Sequence, residues 1–133
     1  MALGWVENIE GRTAANDTFR TVLFTGKYSQ LTVMSLKPGE EIGNEVHDDH
    51  DQFIRIEAGE AKVTMSTSGE SVEEEYEVED DWAIIIPAGT WHNVINTGSD
   101  ELKLYSVYSP AEHPDGTVHH TKAEADAAEH GTA

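Results

Sequence analysis

The feature that most constrains the fold is a series of short segments rich in β-branched and aromatic residues, separated by Gly, Pro, Asn, Asp or Ser. Segments of this kind at short spacing are typical of antiparallel strands joined by tight turns. No long helical pattern lies between them, which favours an all-β sandwich or barrel. The predicted strands are Thr21–Phe24, Ser29–Leu36, Gln52–Glu57, Glu60–Ser66, Glu73–Val78, Ala83–Pro87, Thr90–Asn96 and Leu102–Tyr108.

The C-terminal tail differs in composition from the strand-rich region. Residues 110–118 are predicted to be irregular, and Thr121-Lys122-Ala123-Glu124 matches a capping box. Ala125–His130 favours a short helix with Gly131 as its C-cap. We expect this helix on the surface or at a subunit contact, because it is too weakly apolar for the core. A chain of 133 residues fits a single domain, 1–133, with a barrel core of about 18–109 and a tail of 110–133.

The net charge of the chain disfavours several classes of binding partner. There are 26 acidic against 8 basic residues, a net charge of −18, which disfavours nucleic acid and anionic membranes. An anionic substrate would be repelled by this negative charge. It would need a metal ion or one of the three arginines, Arg12, Arg20 and Arg55, to compensate the repulsion. No apolar run has the length of a membrane helix and the N-terminus has no signal-peptide pattern, so we expect a cytoplasmic protein.

The chain has no cysteine, which excludes disulfides and thiolate ligands, so a metal site would use His nitrogens with carboxylate or amide oxygens. His47 and His50 lie in one acid-rich stretch and His92 in a second stretch. The remaining histidines occur in the tail at positions 113, 119, 120 and 130, and we expect His119 and His120 to face solvent rather than the barrel mouth.

In the first stretch, strand alternation places Glu45 and His47 on one face. Gln52 opens the next strand at the head of an inward apolar row formed by Ile54 and Ile56, which indicates a polar group at the mouth of the barrel. Further residues expected inside or near the mouth are Trp91, Val94, and Tyr105 or Tyr108.

In the second stretch, Ile84-Ile85-Ile86 predicts a strand buried on both sides, and Pro87-Ala88-Gly89 a turn. His92 then opens a strand on the same face as Val94. Considered alone, a histidine on an apolar face is more often a hydrogen-bonded core residue than a ligand.

Together, the two stretches resemble the two motifs of the cupin superfamily. The family's second motif is Gly, five residues, Pro-x-Gly-x-x-His, three residues, Asn. The chain matches all of it except the leading Gly, which is Asp81; the matching residues are Pro87, Gly89, His92 and Asn96. In the first motif Gly39, His47 and Gly59 fit, while Glu45 replaces the first His and Gln52 replaces the Glu.

The resemblance, which covers about residues 29–109, implies an antiparallel double-stranded β-helix, the cupin jelly-roll barrel, with the short helix appended. It places the family's metal ligands on Glu45, His47, Gln52 and His92, with His50 or Asp51 as alternatives to Gln52. Such a mixed N/O set suits one divalent ion: Fe, Mn, Ni, Co or Zn. A cupin whose site holds no metal is the other interpretation.

Two functions are compatible with these residues. One is a small metal-dependent enzyme, an oxygenase or isomerase acting on a small carbonyl or sugar-like compound in the barrel. The other is a non-catalytic binding or sensing module. The resemblance also implies a homodimer, with Asn93 and Ile95 as one possible contact.

Overall fold

The computed structural model describes residues 3–131, and their side chains through residue 128, so that of His130 lies outside the described part. It contains two helices, α1 (Ile9–Ala15) and α2 (Lys122–Gly131), and nine strands. The strands are β1 (Arg20–Thr25), β2 (Gln30–Leu36), β3 (Asp51–Ala58), β4 (Glu60–Ser66), β5 (Glu74–Glu79), β6 (Ala83–Ile86), β7 (Trp91–Asn96), β8 (Leu102–Ser109) and β9 (Val118–His119).

Two antiparallel sheets face each other across one core. The larger sheet has the order β6-β3-β8-β2-β1-β9, and the smaller has the order β5-β4-β7. Apolar side chains from both inner faces, among them Met34, Ile54, Val63, Val94 and Leu104, form one buried cluster. The all-β barrel with a C-terminal helix is therefore confirmed, including every predicted strand. Helix α1 and strand β9 were not predicted. Neither helix in the described range has the length and apolar composition needed to span a bilayer.

The prediction that Ile84-Ile85-Ile86 is buried on both sides is wrong. Strand β6 is the edge of the larger sheet, and Ile85 is 67% exposed while Ile84 and Ile86 are buried. Side chains of a strand alternate between the two faces of the sheet, and the outer face is open to solvent at Ile85, so a run of three β-branched residues here reflects strand propensity and not two-sided burial.

The C-terminal helix is more integrated than its composition suggests. Its capping box forms in part, with the Glu124 amide donating to Thr121 Oγ1 at 3.1 Å. Ala125 is buried and belongs to the core cluster, which corrects the expectation of a purely surface helix. The expected homodimer stays a prediction, but Asn93 is buried and its amide contacts Glu41 and Gly43 within the chain.

The one departure from the second motif has a clear backbone reason. Asp81 has φ 73°, and it is the non-glycine residue with positive φ in the described range. Glycine adopts this conformation without strain, and Asp tolerates it better than most residues. At Gly59, by contrast, φ is 106° and an added Cβ would lie 3.1 Å from the carbonyl oxygen of Glu101, so glycine is required there.

Asn96, the last residue of the second motif, clamps the end of the barrel. It is 2% exposed, and its Nδ2 donates to the carbonyl oxygens of Leu36 and Asp100, both at 2.9 Å. Its Oδ1 accepts from the Gly98 amide at 2.9 Å. One side chain thus satisfies three backbone groups, one at the end of β2 and two in the turn between β7 and β8.

We predict that Asn96→Ala lowers the free energy of unfolding by about 2–4 kcal/mol, because it leaves buried backbone groups without partners. Urea unfolding monitored by circular dichroism measures this. The matched control is Asn44→Ala, whose exposed amide makes one 3.3 Å hydrogen bond to Gly69, and it should cost no more than about 0.5 kcal/mol. Equal costs for the two variants would contradict the clamp.

Candidate metal centre at the barrel mouth

The segment that carries Glu45 pairs with β7 through a bulge. Glu45 and His92 form an antiparallel pair in which each amide donates to the other's carbonyl oxygen at 2.9 Å. Glu41 pairs with Ile95, so the register shifts by one residue between the two bridges. The extra residue falls near Gly43, which has φ 108° and whose amide donates to Asn93 Oδ1 at 2.8 Å.

The bulge decides which way Glu45 faces. Cross-strand partners share a face, so Glu41 lies on the outer face with Ile95, and Glu45 lies on the inner face with His92. Without the extra residue, Glu41 and Glu45 would lie on the same outer face, because they are an even number of residues apart.

The structure brings together three of the four predicted ligands. Glu45, His47 and His92 each offer a ligand atom, and these atoms lie within 4.8 Å of one another. Glu45 Oε1 is 3.3 Å from His47 Nε2 and 3.5 Å from His92 Nε2. These residues could hold a metal ion, since neighbouring ligand atoms around an ion with bonds of about 2.0–2.2 Å lie roughly 3.0–3.4 Å apart.

The orientation of the His92 ring is set by its other nitrogen. Nδ1 lies 2.9 Å from the carbonyl oxygen of Thr90, so it carries the proton and donates to that carbonyl. Nε2 therefore presents a lone pair toward Glu45, and it has no hydrogen-bond partner among the described residues. His92 is 1% exposed, which makes an unused polar atom costly.

Gln52, the fourth predicted ligand, is 2% exposed on the inner face of β3. Its Nε2 donates to Ser106 Oγ at 3.3 Å, and its Oε1 has no partner among the described residues. In the sheet Gln52 is paired with Tyr108, whose ring contacts those of His47 and His50. The free amide oxygen thus lies on the same end of the inner face as the three other candidate ligands.

The two alternatives to Gln52 have other partners. Asp51 accepts a hydrogen bond from the Ala88 amide at 2.9 Å and so holds the turn that precedes His92. His50 stacks on His47, with ring centroids 5.0 Å apart, and its Nε2 lies 3.0 Å from Glu112 Oε1. It therefore belongs to a second group, composed of His47, His50 and Glu112.

Glu112 is a site residue that the sequence analysis missed. It comes from the tail predicted to be irregular, and its Oε2 lies 3.0 Å from His47 Nδ1. Gln30, 1% exposed, holds this part of the tail: its Oε1 accepts from the amides of Glu112 and His113, and its Nε2 donates to the His113 carbonyl at 2.7 Å. The signal available in the sequence is Gln30 itself, a polar residue in phase with Met34 and Leu36 at the start of a predicted strand.

The tail also covers the mouth with His113, whose ring meets that of Tyr108 edge-on at 5.3 Å between centroids. His119 is half-buried beside Arg20, which corrects the expected exposure of this residue, whereas His120 is exposed as expected. Tyr105 packs against Phe53 outside the barrel, so Tyr108 is the tyrosine at the mouth.

Charge at the site is balanced by a proton on His47. Burial lowers the pKa of His47, but hydrogen bonds to Glu112 and Glu45 outweigh it and raise that pKa to about 9. Burial raises the pKa of Glu45, but contacts with His47 and His92 outweigh it and lower that pKa to about 2. The metal-free site is therefore an imidazolium held between two carboxylates.

These shifts predict a defined pH dependence for the metal-free protein. The folded chain holds the His47 proton more tightly than the unfolded chain, so its stabilising effect is complete below pH 6.5 and is lost as pH rises toward 9. The Glu45 effect is complete above pH 4.5 and is lost as pH falls toward 2. Urea unfolding in the presence of a chelator should show a decline of about 1–3 kcal/mol between pH 6.5 and 9.

In Glu45→Gln the decline should still begin near pH 6.5, where the unfolded chain loses the proton, but it should be smaller and end at lower pH, because one of the two carboxylates that raise the pKa of His47 is gone. An unchanged profile in this variant would contradict the ion pair.

The comparisons with known proteins agree with this geometry. Residues 32–108 match the model of the cupin domain. The chain is 57% identical over 125 residues to the uncharacterized protein YrkC of Bacillus subtilis, covering 94% of this chain and 67% of that protein. It is 44% identical over 115 residues to the uncharacterized protein L612 of Acanthamoeba polyphaga mimivirus, covering 86% and 70%.

The crystal structure of BH2720 from Bacillus halodurans superimposes with a TM-score of 0.91 at 53% identity, covering 92% of this chain and 93% of that one. The matched domain spans both stretches that carry the candidate ligands and more than half of the chain. The chain belongs to the cupin family.

Proposed function

We propose that the chain binds one divalent metal ion through Glu45, His47, Gln52 and His92, and that this centre makes it a small metal-dependent enzyme. The observation that carries the proposal is the convergence of ligand atoms of Glu45, His47 and His92 within 4.8 Å. Two buried atoms, His92 Nε2 in this group and Gln52 Oε1, also have no hydrogen-bond partner among the described residues. Buried polar atoms normally have partners, and one ion would serve all of these together.

The surroundings support this choice over the second group. Both imidazoles of the first group have their Nδ1 engaged, by the Thr90 carbonyl and by Glu112, which leaves Nε2 for an ion. Carboxylates and carbonyls in these positions fix the orientation of ligating imidazoles in metal proteins. Glu112 is accordingly assigned as an orienting residue and not as a ligand.

Such an ion supplies Lewis-acid or redox chemistry at the mouth of the barrel. Around it, the chain provides the edge of Tyr108 and the His50–Glu112 contact, which can hold a proton beside the bound molecule. This environment suits an oxygenase or isomerase acting on a small carbonyl or sugar-like compound. A non-catalytic binding module is the second candidate, favoured by the coverage of the mouth by the tail through Gln30.

The metal assignment predicts that protein purified without added metal contains about one equivalent of Fe, Mn, Ni, Co or Zn. His92→Ala should lose it, because the imidazole ligand that the second motif supplies is gone. Metal analysis after gel filtration measures the stoichiometry. The control is His120→Ala, an exposed histidine of the tail, which should retain the metal. A His92→Ala protein that keeps one equivalent would refute the assignment.

The role of Glu112 predicts a graded effect. Glu112→Gln should retain the metal but bind it about 10- to 100-fold more weakly, because the orienting partner of His47 loses its charge. Competition with a chromogenic chelator gives the affinity. Asp115→Asn, an exposed carboxylate in the same tail segment, is the matched control and should leave the affinity unchanged. Equal affinities for the two variants would show that Glu112 has no part in holding the site.

A further inference from the structure

The outer face of the larger sheet carries an uninterrupted apolar row. Five neighbouring strands, β6, β3, β8, β2 and β1, each contribute one apolar residue to it, and the strand registers place these residues side by side. The row, which we call the outer row, consists of Ile85, Phe53, Val107, Leu31 and Phe24. Its side chains point away from the barrel, because the next residues along the strands, such as Ile54 and Ile86, belong to the core.

A second row runs beside the outer row on the side of helix α1. It consists of Ala83, Arg55, Tyr105, Val33 and Thr21. The two rows are in contact through aromatic rings, since the centroids of Phe53 and Tyr105 lie 6.2 Å apart. Toward the mouth of the barrel the next row is polar and includes Asp51 and Ser109. An apolar centre bordered by polar residues is the usual layout of a protein–protein interface.

The outer row is open to solvent in the described part of the chain. Ile85 is 67% exposed, and the four other residues of the row are partly exposed. Helix α1 contacts β3 and β8, and beyond the second row the carbonyl oxygen of its C-cap Asn16 accepts a hydrogen bond from Lys103 Nζ. Two large apolar residues that precede this helix, Leu3 and Val6, are almost fully exposed. Contiguous exposed apolar surface of this kind marks an interaction site.

The size of this face fits a second copy of the chain. Five strands about 4.8 Å apart and three rows about 7 Å apart give roughly 24 by 20 Å, or about 500 Å² per copy. Two such faces in contact bury about 1,000 Å² before the relief of the side chains is counted, which reaches the lower bound for a specific interface. Leu3 and Val6, next to helix α1, are further apolar surface that a second copy can cover.

The charge of this face also favours a second copy. The outer and second rows contain no acidic residue, and their one charged side chain, Arg55, is already paired with two carboxylates. The outer face of the smaller sheet, by contrast, carries acids, among them Glu41, Glu75 and Glu77. Two copies that each carry a net charge of −18 repel each other, so they associate most readily through a face without acids. A basic partner would instead bind the acidic faces.

We propose that the chain forms a homodimer in which the outer rows of two copies pack face to face about a two-fold axis. In a contact of this symmetry each copy presents the same surface to the other, and packed sheets lie about 10 Å apart. Asn93 and Ile95, the contact expected from the sequence, lie on the acidic outer face of the smaller sheet and are not part of this interface. The candidate metal ligands lie inside the barrel, so the dimer does not depend on the proposed metal centre.

The experiment uses the full chain and sedimentation velocity at micromolar concentration. Wild type should sediment as a dimer, both with and without a chelator. Ile85→Glu places a charge in the apolar contact and should raise the dissociation constant of the dimer about 10- to 100-fold. The matched control is Val72→Glu, which makes the same change in charge at an apolar residue that is 55% exposed between β4 and β5. It should dimerise as wild type does.

Ionic strength gives a second measurement of the same interface. An apolar contact between two acidic copies should tighten as sodium chloride is raised from about 0.02 M to about 0.3 M, because salt screens their repulsion. A dimer that weakens with added salt is held by ion pairs, and that result would contradict the outer row as the contact.

Several results would overturn the inference. One is a wild type that stays monomeric at hundreds of micromolar, and if this monomer binds uncharged phosphatidylcholine vesicles, the face serves a membrane instead. Another is an equal effect of Ile85→Glu and Val72→Glu on the dissociation constant. Val107→Glu, at the centre of the outer row, should weaken the dimer at least as strongly as Ile85→Glu, and an unchanged dimer in this variant would also overturn the inference. Circular dichroism verifies the fold of each variant; if Val107→Glu does not fold, Ile85→Glu decides.

Discussion

The candidate site depends on one backbone pairing, the two hydrogen bonds of 2.9 Å between Glu45 and His92. This pair joins the two motif-bearing stretches and places a carboxylate and an imidazole side by side on the inner face. The pairing has that consequence only because the bulge near Gly43 reverses the face that the chain presents. The β-bulge therefore creates the site. The Gly43 amide, which the bulge leaves without a backbone partner, donates to the side-chain oxygen of Asn93.

Local chemistry explains what could be predicted from the sequence. Strand alternation and turn residues act over a few positions. They therefore predict the strands, the turn before His92, and the inward row of Gln52 and Ile54. Burial of both faces of a strand depends on what packs against the sheet. For that reason the sequence alone predicts a buried Ile85, although this residue is exposed. Whether the outer face of a sheet is covered is decided by tertiary packing, which no short window of sequence contains.

The residues at the mouth that the sequence does not predict, Glu112 and His113, share another cause. They join the mouth through a long-range contact, made when Gln30 binds the tail. The burial of Arg20, which is 2% exposed, is different, since Arg20 shares the strand face of the apolar Val22, where a charged residue is unexpected. A charged residue in phase with an apolar row is therefore informative even when no motif includes it.

The mouth of the barrel also shows how charge is balanced inside a strongly acidic protein. Glu45 and Glu112 together carry the negative charge at the mouth, and the proton on His47 stands where a metal ion would balance them. With a divalent ion in place of that proton, both carboxylates would still face positive charge, and the buried atoms His92 Nε2 and Gln52 Oε1 would gain the partner that they lack. The same side chains can therefore satisfy the metal-free and the metal-bound state without a change of fold.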